Sequence, residues 1–306
     1  MRISVIIPAY NAERYIAKCI SSLKEQIVSP HEIVVVNDGS TDRTHMIAKS
    51  LGVVKIVNHP VNRGIAAARN TGIRNSTGDI VAFMDADCIA GNDWLENIGK
   101  DYADQAVGGV GGKGIEASRF GIADEFRSRY CRQSHGNKKR YVQILWGLNM
   151  SFRRNVISRA GGFNEFFRTN GEDVEYSLRV VKTGYRLLYD PKVVVYHLKR
   201  DNMFSILRTV NRSFKFGYMG QVLGGAASAT PRRMIGKAKG ITDKFLYRLR
   251  GELPRGNLGI TVLSFLSMIA ELFGLRAAWI SLKRRQKLVL SQKTGKPVDL
   301  CMRSES

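Results

Sequence analysis

The chain has 306 residues, 44% of them hydrophobic and 24% charged, which suits one large folded domain or a domain with an appendage and excludes a disordered chain. The net charge of +22 is uneven: residues 199–306 carry 21 Lys/Arg against 6 Asp/Glu, +15 of the total, so that third is expected to meet an anionic partner such as nucleic acid, anionic lipid or a phosphorylated substrate. Cys19, Cys88, Cys131 and Cys301 form no CxxC pair and no zinc-finger spacing with His, which sets aside a disulfide framework or structural zinc and suits a reducing, cytosolic compartment. The N-terminus runs straight into a strand pattern, without the apolar stretch and cleavage site of a secretory signal.

In chain order, residues 3–7 form a short apolar run ended by Pro8. Residues 12–26 have helical spacing, with Tyr15, Ile16, Cys19, Ile20 and Leu23 on one face. A second apolar run, 32–36, stops at the turn cluster Asn37-Asp38-Gly39-Ser40, after which Asp42 is placed to cap a helix through Leu51. Residues 53–57 predict a third strand, 62–75 a helix and 80–84 a fourth strand. Such alternation predicts a parallel sheet covered on both faces, with ligands at the carboxyl ends of the strands. The residues to watch are then Tyr10, Asn11, Asp38, Asp85 and Asp87. Further on, 104–114 surrounds a glycine-rich strand, 122–132 is helical, and 143–152 reads as a strand carrying Trp146-Gly147-Leu148-Asn149. Residues 172–183 form a helix ended by Gly184. Residues 186–189 and 193–196 read as two short strands parted by Asp190-Pro191, and 203–219 as a helix. Residues 226–256 are polar and rich in Arg and Lys, and 258–282 is the longest apolar segment.

Two motifs carry chemistry. Asp85-Ala86-Asp87 leaves the apolar strand Ile80-Val81-Ala82-Phe83-Met84. On an extended chain alternate side chains point the same way, so both carboxylates can face one ion. Hard oxygen ligands suit Mg²⁺ or Mn²⁺, which can hold a diphosphate and neutralise a leaving nucleoside diphosphate. Asp38, at the end of the second strand, can accept hydrogen bonds from a base or ribose, or serve an Asx turn.

Four motifs in order, Ser4-Val5-Ile6-Ile7-Pro8-Ala9-Tyr10-Asn11, Asn37-Asp38-Gly39-Ser40-Thr41-Asp42, Asn62-Arg63-Gly64 with Ala68-Arg69-Asn70-Thr71-Gly72, and Asp85-Ala86-Asp87, together resemble the family 2 glycosyltransferases of GT-A fold. The resemblance covers roughly residues 2–197. It implies a Rossmann-like, mostly parallel α/β sheet with helices on both faces, a UDP- or GDP-sugar donor, and inversion at the anomeric carbon. By position it implies that Ala9 and Tyr10 line the base pocket, Asp38 contacts the base, and Arg69 lies near the base or phosphates. Asp85 would contact ribose or metal, and Asp87 would be the main ligand of a Mn²⁺ or Mg²⁺ ion. In the second half, Trp146-Gly147-Leu148-Asn149-Met150-Ser151 and Gly161-Gly162-Phe163-Asn164-Glu165 match the family's glycine-containing stretch. Gly171-Glu172-Asp173-Val174-Glu175 matches its Glu-Asp motif. Inverting transfer needs a base for the acceptor hydroxyl, and Asp173 is the first choice with Glu172 second. In part of the family a His at the place of His197 is a further metal ligand.

The expected organisation is a catalytic domain over 1–200, with about 1–100 binding the donor and about 101–200 the acceptor, followed by a basic helical extension over 201–306. Its apolar segment 258–282 has three readings: a single span, an interfacial amphipathic helix, or a soluble core helix. Near-span length favours the first; Glu271 and Arg276 oppose a lipid-exposed helix. The first two place the enzyme at the cytoplasmic face of the cell membrane, with basic residues on anionic head groups; the third leaves it soluble in the cytoplasm. The acceptor is then a saccharide or polyprenyl-linked saccharide, in cell-surface polysaccharide or glycoconjugate synthesis. Two rival functions are a nucleotidyltransferase and a basic nucleic-acid-binding protein. Pro8-Ala9-Tyr10-Asn11 stands where the former needs a glycine-rich phosphate loop, and charge beside an apolar segment suits a membrane better than nucleic acid.

Overall fold

The computed structural model describes residues 1–52, 55–117 and 120–294, with side chains as far as residue 286. Cys301 and the start of the strand expected over 53–57 lie outside the described residues. The elements that hold the site are β1 (Ile3–Ala9), α1 (Ile16–Lys24), β2 (Glu32–Asp38), α2 (Thr44–Ser50), β3 (Lys55–His59), α3 (Ile65–Arg74), β4 (Ile80–Met84), β5 (Cys88–Ala90), α4 (Trp94–Asp101), β6 (Val107–Glu116), α5 (Ile122–Tyr130), β7 (Arg140–Val142), β8 (Asn149–Arg153), α6 (Arg154–Ala160), α7 (Glu172–Lys182), β9 (Arg186–His197), α8 (Met203–Leu223), α9 (Pro231–Glu252) and α10 (Leu258–Thr294).

Nine strands among the described residues form one sheet in the order β3-β2-β1-β4-β8-β6-β9-β5, with β7 on β9. The first four are parallel. Beyond β4 the pairing is mixed: β8 runs antiparallel to β4 and β6, while β9 runs parallel to β6. The sheet is buried on both faces. Ile7, Ile16, Ile20, Val35 and Trp94 pack on one side; Ile6, Val34, Phe83, Phe152 and Tyr176 pack on the other. That two-sided burial explains why the inner strands read as continuous apolar runs.

Several elements differ from expectation for local reasons. Residues 186–197 form one strand, not two. The register on β6 jumps between Gly112–Asp190 and Lys113–Val194, so Asp190-Pro191 is a bulge within β9. Trp146-Gly147-Leu148 is a loop closed by Asn149 N–H on Trp146 O, and only Asn149–Arg153 joins the sheet. The polar stretch after residue 226 contains α9, which Thr230 caps through Arg233 N–H with Pro231 in the first turn. Its helix signal was hidden by a surface rich in charge. The short β5, α4, β7 and α6 lie outside the expected elements, although α4 has helical spacing with Trp94, Leu95 and Ile98 buried on one face.

The helices α8, α9 and α10 pack on each other and against α5 and α7. Ile206, Val210, Ile260 and Leu263 meet Phe126 of α5, while Tyr218, Ile241, Leu275 and Leu282 form a second cluster with Phe167. By length and composition, Leu258–Gln286 is apolar enough to cross a membrane. Yet its inward face is not uniformly apolar: Ser264, Ser267 and Glu271 are buried, and Arg248 of α9 donates to both Ser267 and Glu271 at 3.3 Å. Its outward face exposes Leu258, Val262, Phe265, Phe273 and Ile280.

Candidate active site

Because β1 is parallel to both β2 and β4, the carboxyl ends of these strands open into one crevice. Ala9 is buried at the end of β1, and Tyr10 beside it is 51% exposed. Asn11 takes a positive φ of 49°, and its side chain accepts the Thr41 N–H at 2.9 Å, which ties the β1 loop to the β2 loop.

Asp38 is buried and its carboxylate is well supplied. Oδ1 accepts the Arg63 N–H at 2.9 Å and faces His59 Nδ1 at 2.6 Å, and Oδ2 accepts the Gly64 N–H at 2.8 Å. It therefore shapes the Asn62-Arg63-Gly64 loop, the role the Asx reading assigned to a turn nearer in sequence. His59 was not foreseen; a lone His closing an edge strand carries no signal of its own.

Asp85-Ala86-Asp87 is a tight turn rather than an extended segment, since the Cys88 N–H returns to Asp85 O at 3.1 Å. The two carboxylates consequently meet different partners. Asp85 Oδ1 pairs with Arg69 Nη2 at 3.1 Å, and Asp87 Oδ2 lies 3.3 Å from His197 Nε2. Arg69 has no exposed surface. Its guanidinium binds Glu172 through Nη1, Asp85 and the Gly147 carbonyl through Nη2, and stands over the Phe163 ring. Arg69 is thus a buried clamp that reaches the crevice through Asp85. Burial disfavours its charge, but Glu172 and Asp85 outweigh that and raise its pKa.

His197 ends β9 beside Cys88 of β5. Its Nδ1 faces Glu116 Oε2 at 2.9 Å, at the end of β6. Burial favours the neutral ring, yet Asp87 and Glu116 raise its pKa to about 9. Burial likewise opposes the charged Asp87, and His197 more than offsets it, leaving the carboxyl at about 2. Glu116 was missed by sequence reasoning, because it closes a glycine-rich strand with no motif around it. Arg127 of α5 reaches the same ring and pairs with Asp201.

Across the Arg69 clamp lies the start of α7. Gly171 precedes it with φ 86°, and a Cβ there would stand 2.4 Å from Phe216 O of α8. Glycine therefore lets α8 lie directly against the first turn of α7. Burial, with the neighbouring Asp173 charge, pushes the Glu172 carboxyl up to about 7 against the pull of Arg69. Asp173 is only partly buried and borders a cavity shared with Trp146 and Val174. Its Oδ2 accepts the Gly147 N–H at 2.9 Å and its Oδ1 the Val174 N–H at 2.8 Å. Gly147 is hemmed in, since a Cβ would lie 2.8 Å from Arg69 Nη2 and 3.3 Å from Asp173 Oδ2.

Among the described residues, no three His, Cys, Asp or Glu side chains converge as a ready-made metal cage. The available donor set is Asp87 with His197, and Asp85 alongside. It fits a divalent ion that takes one or two carboxylates and draws its remaining ligands from substrate phosphates. Glu116 fixes Nδ1, so the other ring nitrogen is the one turned to Asp87, an arrangement common behind metal-binding histidines.

With this geometry in view, the family model described as Glycosyl transferase family 2 matches residues 4–161. The chain belongs to that family. Within this family it is similar to "Glycosyltransferase AglE" of Haloferax volcanii, 31% identical over 212 residues that cover 65% of this chain and 67% of the relative. It is also similar to the "Glucosyl-dolichyl phosphate glucuronosyltransferase" of the same organism, 28% identical over 73% of this chain and 77% of that one. Among solved structures, the fold matches mannosyltransferase PcManGT from Pyrobaculum calidifontis, described in complex with GDP-Man and Mn²⁺, at TM-score 0.57 and 22% identity over 96% of this chain and 81% of that one. It also matches residues 1–349 of Staphylococcus aureus TarS in complex with UDP-GlcNAc, at TM-score 0.55 and 17% identity over 93% and 92%. The fold is GT-A, and the protein is a glycosyltransferase rather than a nucleotidyltransferase. The family match ends before Glu172, Asp173 and His197, which are joined to it through Arg69, Gly147 and Asp87.

Proposed function

We propose that this family 2 glycosyltransferase moves a sugar, with inversion, from a UDP- or GDP-sugar to a saccharide or lipid-linked acceptor, in cell-surface polysaccharide or glycoconjugate synthesis. The observation that carries it is the pairing of two carboxylate sites on either side of one buried arginine. Asp85 and Asp87 stand at the strand ends, and Asp173 stands beyond Arg69 and Gly147.

In this reading Ala9 and Tyr10 line the base pocket, and Asp38 holds the loop that borders it. Asp87, with Asp85 and His197, holds Mn²⁺ or Mg²⁺. A divalent ion bound by these residues would supply positive charge to a diphosphate leaving group. Asp173 takes the proton of the acceptor hydroxyl as it attacks the anomeric carbon. The N–H groups of Gly147 and Val174 fix the orientation of that carboxylate. Glu172, held by Arg69 and buried, is a positioning residue in this reading.

Residues 1–200 are the catalytic unit and 201–306 the basic extension. For the extension we favour an interfacial placement at the cytoplasmic face of the membrane over a span. Support comes from the exposed stripe Leu258, Val262, Phe265, Phe273 and Ile280, with a buried Arg248–Glu271 pair on the opposite side of the same helix. A helix that buries charge inward and apolar rings outward suits a protein lying on lipid. The glucuronosyltransferase relative, named for glucosyl-dolichyl phosphate, agrees with a lipid-linked acceptor.

A panel of UDP- and GDP-sugars, offered with Mn²⁺, Mg²⁺ or EDTA, tests the function. One donor should bind and be slowly hydrolysed with metal and not with EDTA, and Asp87→Ala should abolish both. Full donor turnover in excess EDTA would end the metal-dependent reading.

A further inference from the structure

Lys199 follows His197 just past the end of β9. The antiparallel pairing of Cys88 with His197 continues one step further, because the Leu198 N–H donates to Asp87 O at 2.8 Å. This bond keeps the chain after His197 alongside the Asp85-Ala86-Asp87 turn, and the charges of Asp87 and Asp85 both act on Lys199. The next residue, Arg200, points away: it is exposed and lies over the Phe120 ring at 4.0 Å. Lys199 is partly buried and, among the described residues, makes no ion pair or hydrogen bond.

The buried cations around the turn are already occupied. Arg69 holds Asp85 and Glu172, Arg127 pairs with Asp201, and His197 stands between Asp87 and Glu116. Burial lowers the Lys199 pKa and Arg127 and Arg212 act in the same direction, against the pull of Asp87 and Asp85. An ammonium group drawn out of water without a hydrogen-bonding partner carries a desolvation cost that an anionic ligand at the strand ends would offset.

We infer that Lys199 binds the terminal phosphate of the nucleoside diphosphate and stabilises it as it leaves. The inference rests on the donor site proposed above at Asp85 and Asp87. In the transfer, the bond between the anomeric carbon and the terminal phosphate oxygen breaks, and its electron pair stays on that oxygen. The acceptor oxygen forms the new bond to the anomeric carbon, and its proton goes to Asp173. The leaving diphosphate therefore gains one negative charge, and Lys199 is the unpaired cation beside the turn where that charge appears. The intact donor lacks this charge, so the contact strengthens towards the transition state and acts on turnover more than on donor affinity. Lys199 lies beyond the family match to residues 4–161, where the catalytic unit passes into α8.

The test uses the full-length protein and calorimetric titration with UDP, UMP, GDP and GMP in the presence of Mn²⁺. The wild type should bind one of the two diphosphates more tightly than the matching monophosphate. Lys199→Met should weaken that diphosphate by about tenfold and leave the monophosphate within about twofold, while Lys199→Arg should keep most of the affinity. Mn²⁺ titrated alone should bind Lys199→Met no more weakly than the wild type. Hydrolysis of the donor at saturation should fall by at least about tenfold in Lys199→Met. Melting temperatures are taken on each variant, and Lys199→Gln replaces Lys199→Met if that variant does not fold. An unchanged diphosphate affinity overturns the inference. Equal losses for diphosphate and monophosphate do the same, and so does a parallel loss of Mn²⁺ affinity, which would assign the effect to the metal site. Failure of these arms alone leaves the donor site standing. A wild type that binds neither UDP nor GDP removes the donor site itself, and the inference falls with it.

Discussion

Asp173 Oδ2 accepts the backbone N–H of Gly147 at 2.9 Å. The same Gly147 gives its carbonyl to Arg69 Nη2 at 3.0 Å, and Arg69 in turn holds Asp85. One residue of a loop therefore links the carboxylate proposed as base to the carboxylate at the donor site. An amide at position 173 can still accept the Gly147 N–H through its oxygen but cannot take a proton. Asp173→Asn is expected to lower turnover by about 10²-fold or more while donor affinity stays within about twofold. Steady-state rates with donor titrations check it. Near-normal turnover in Asp173→Asn, with loss in Glu172→Gln, would reverse the two roles.

Arg69 pairs with both Asp85 and Glu172, and it has no exposed surface. Arg69→Met keeps the bulk and removes the charge, leaving Glu172 buried without its partner. The expected loss is about 3–5 kcal/mol in urea-unfolding free energy, the range for breaking a buried pair on one side. Arg69→Lys should recover only part of it, because an ammonium cannot serve Glu172, Asp85 and Gly147 O with a planar fork. A variant as stable as the wild type would mean that the clamp is dispensable.

Glu252, at the end of α9, ties the extension to α5. It accepts from Arg129 Nη1 at 2.7 Å, from the Tyr130 hydroxyl and from Asn257 Nδ2 at 2.9 Å. Burial opposes its charge, but the hydrogen bonds from Tyr130, Asn257 and Arg129 prevail and hold the carboxyl at about 2, below its ordinary 4.5. A carboxyl lowered on folding contributes stability that is complete above its unfolded value and is lost as pH falls through the folded one. Glu252→Gln should therefore cost about 2 kcal/mol at pH 7. The difference from wild type should shrink between pH 4.5 and 2. Urea titrations at stepped pH measure it, and a difference that does not change with pH would show that Glu252 acts by shape alone.

The outward stripe of α10 predicts binding to a lipid surface. Wild-type protein should sediment with vesicles containing anionic phospholipid at low salt and be released as salt rises. Phe265→Glu/Phe273→Glu, at positions 47% and 60% exposed, should weaken that binding by at least about tenfold without lowering the melting temperature. Wild-type protein that remains in the supernatant at low salt would remove the interfacial placement.

The inner half of the sheet was legible in the sequence because β1, β2 and β4 are buried on both faces and appear as unbroken apolar runs between turn residues. The positions of Asp38, Asp85 and Asp87 followed from those strand ends, and the order of motifs around them gave the family. Their partners did not follow. Arg69 to Glu172 spans 103 residues and His197 to Glu116 spans 81, and only the β8 and β9 crossovers of the sheet bring such residues together. Two carboxylates two apart look like a pair on an extended chain, yet the turn at Ala86 separates them, one to Arg69 and the other to His197. The C-terminal third shows the same limit. Composition alone marked it as basic and apolar, but whether α10 spans, floats or packs depends on which of its faces α5, α8 and α9 cover. That cover is a matter of tertiary contact: it buries Glu271 with Arg248, frees Phe265 and Phe273, and encloses the cavity beside Asp173.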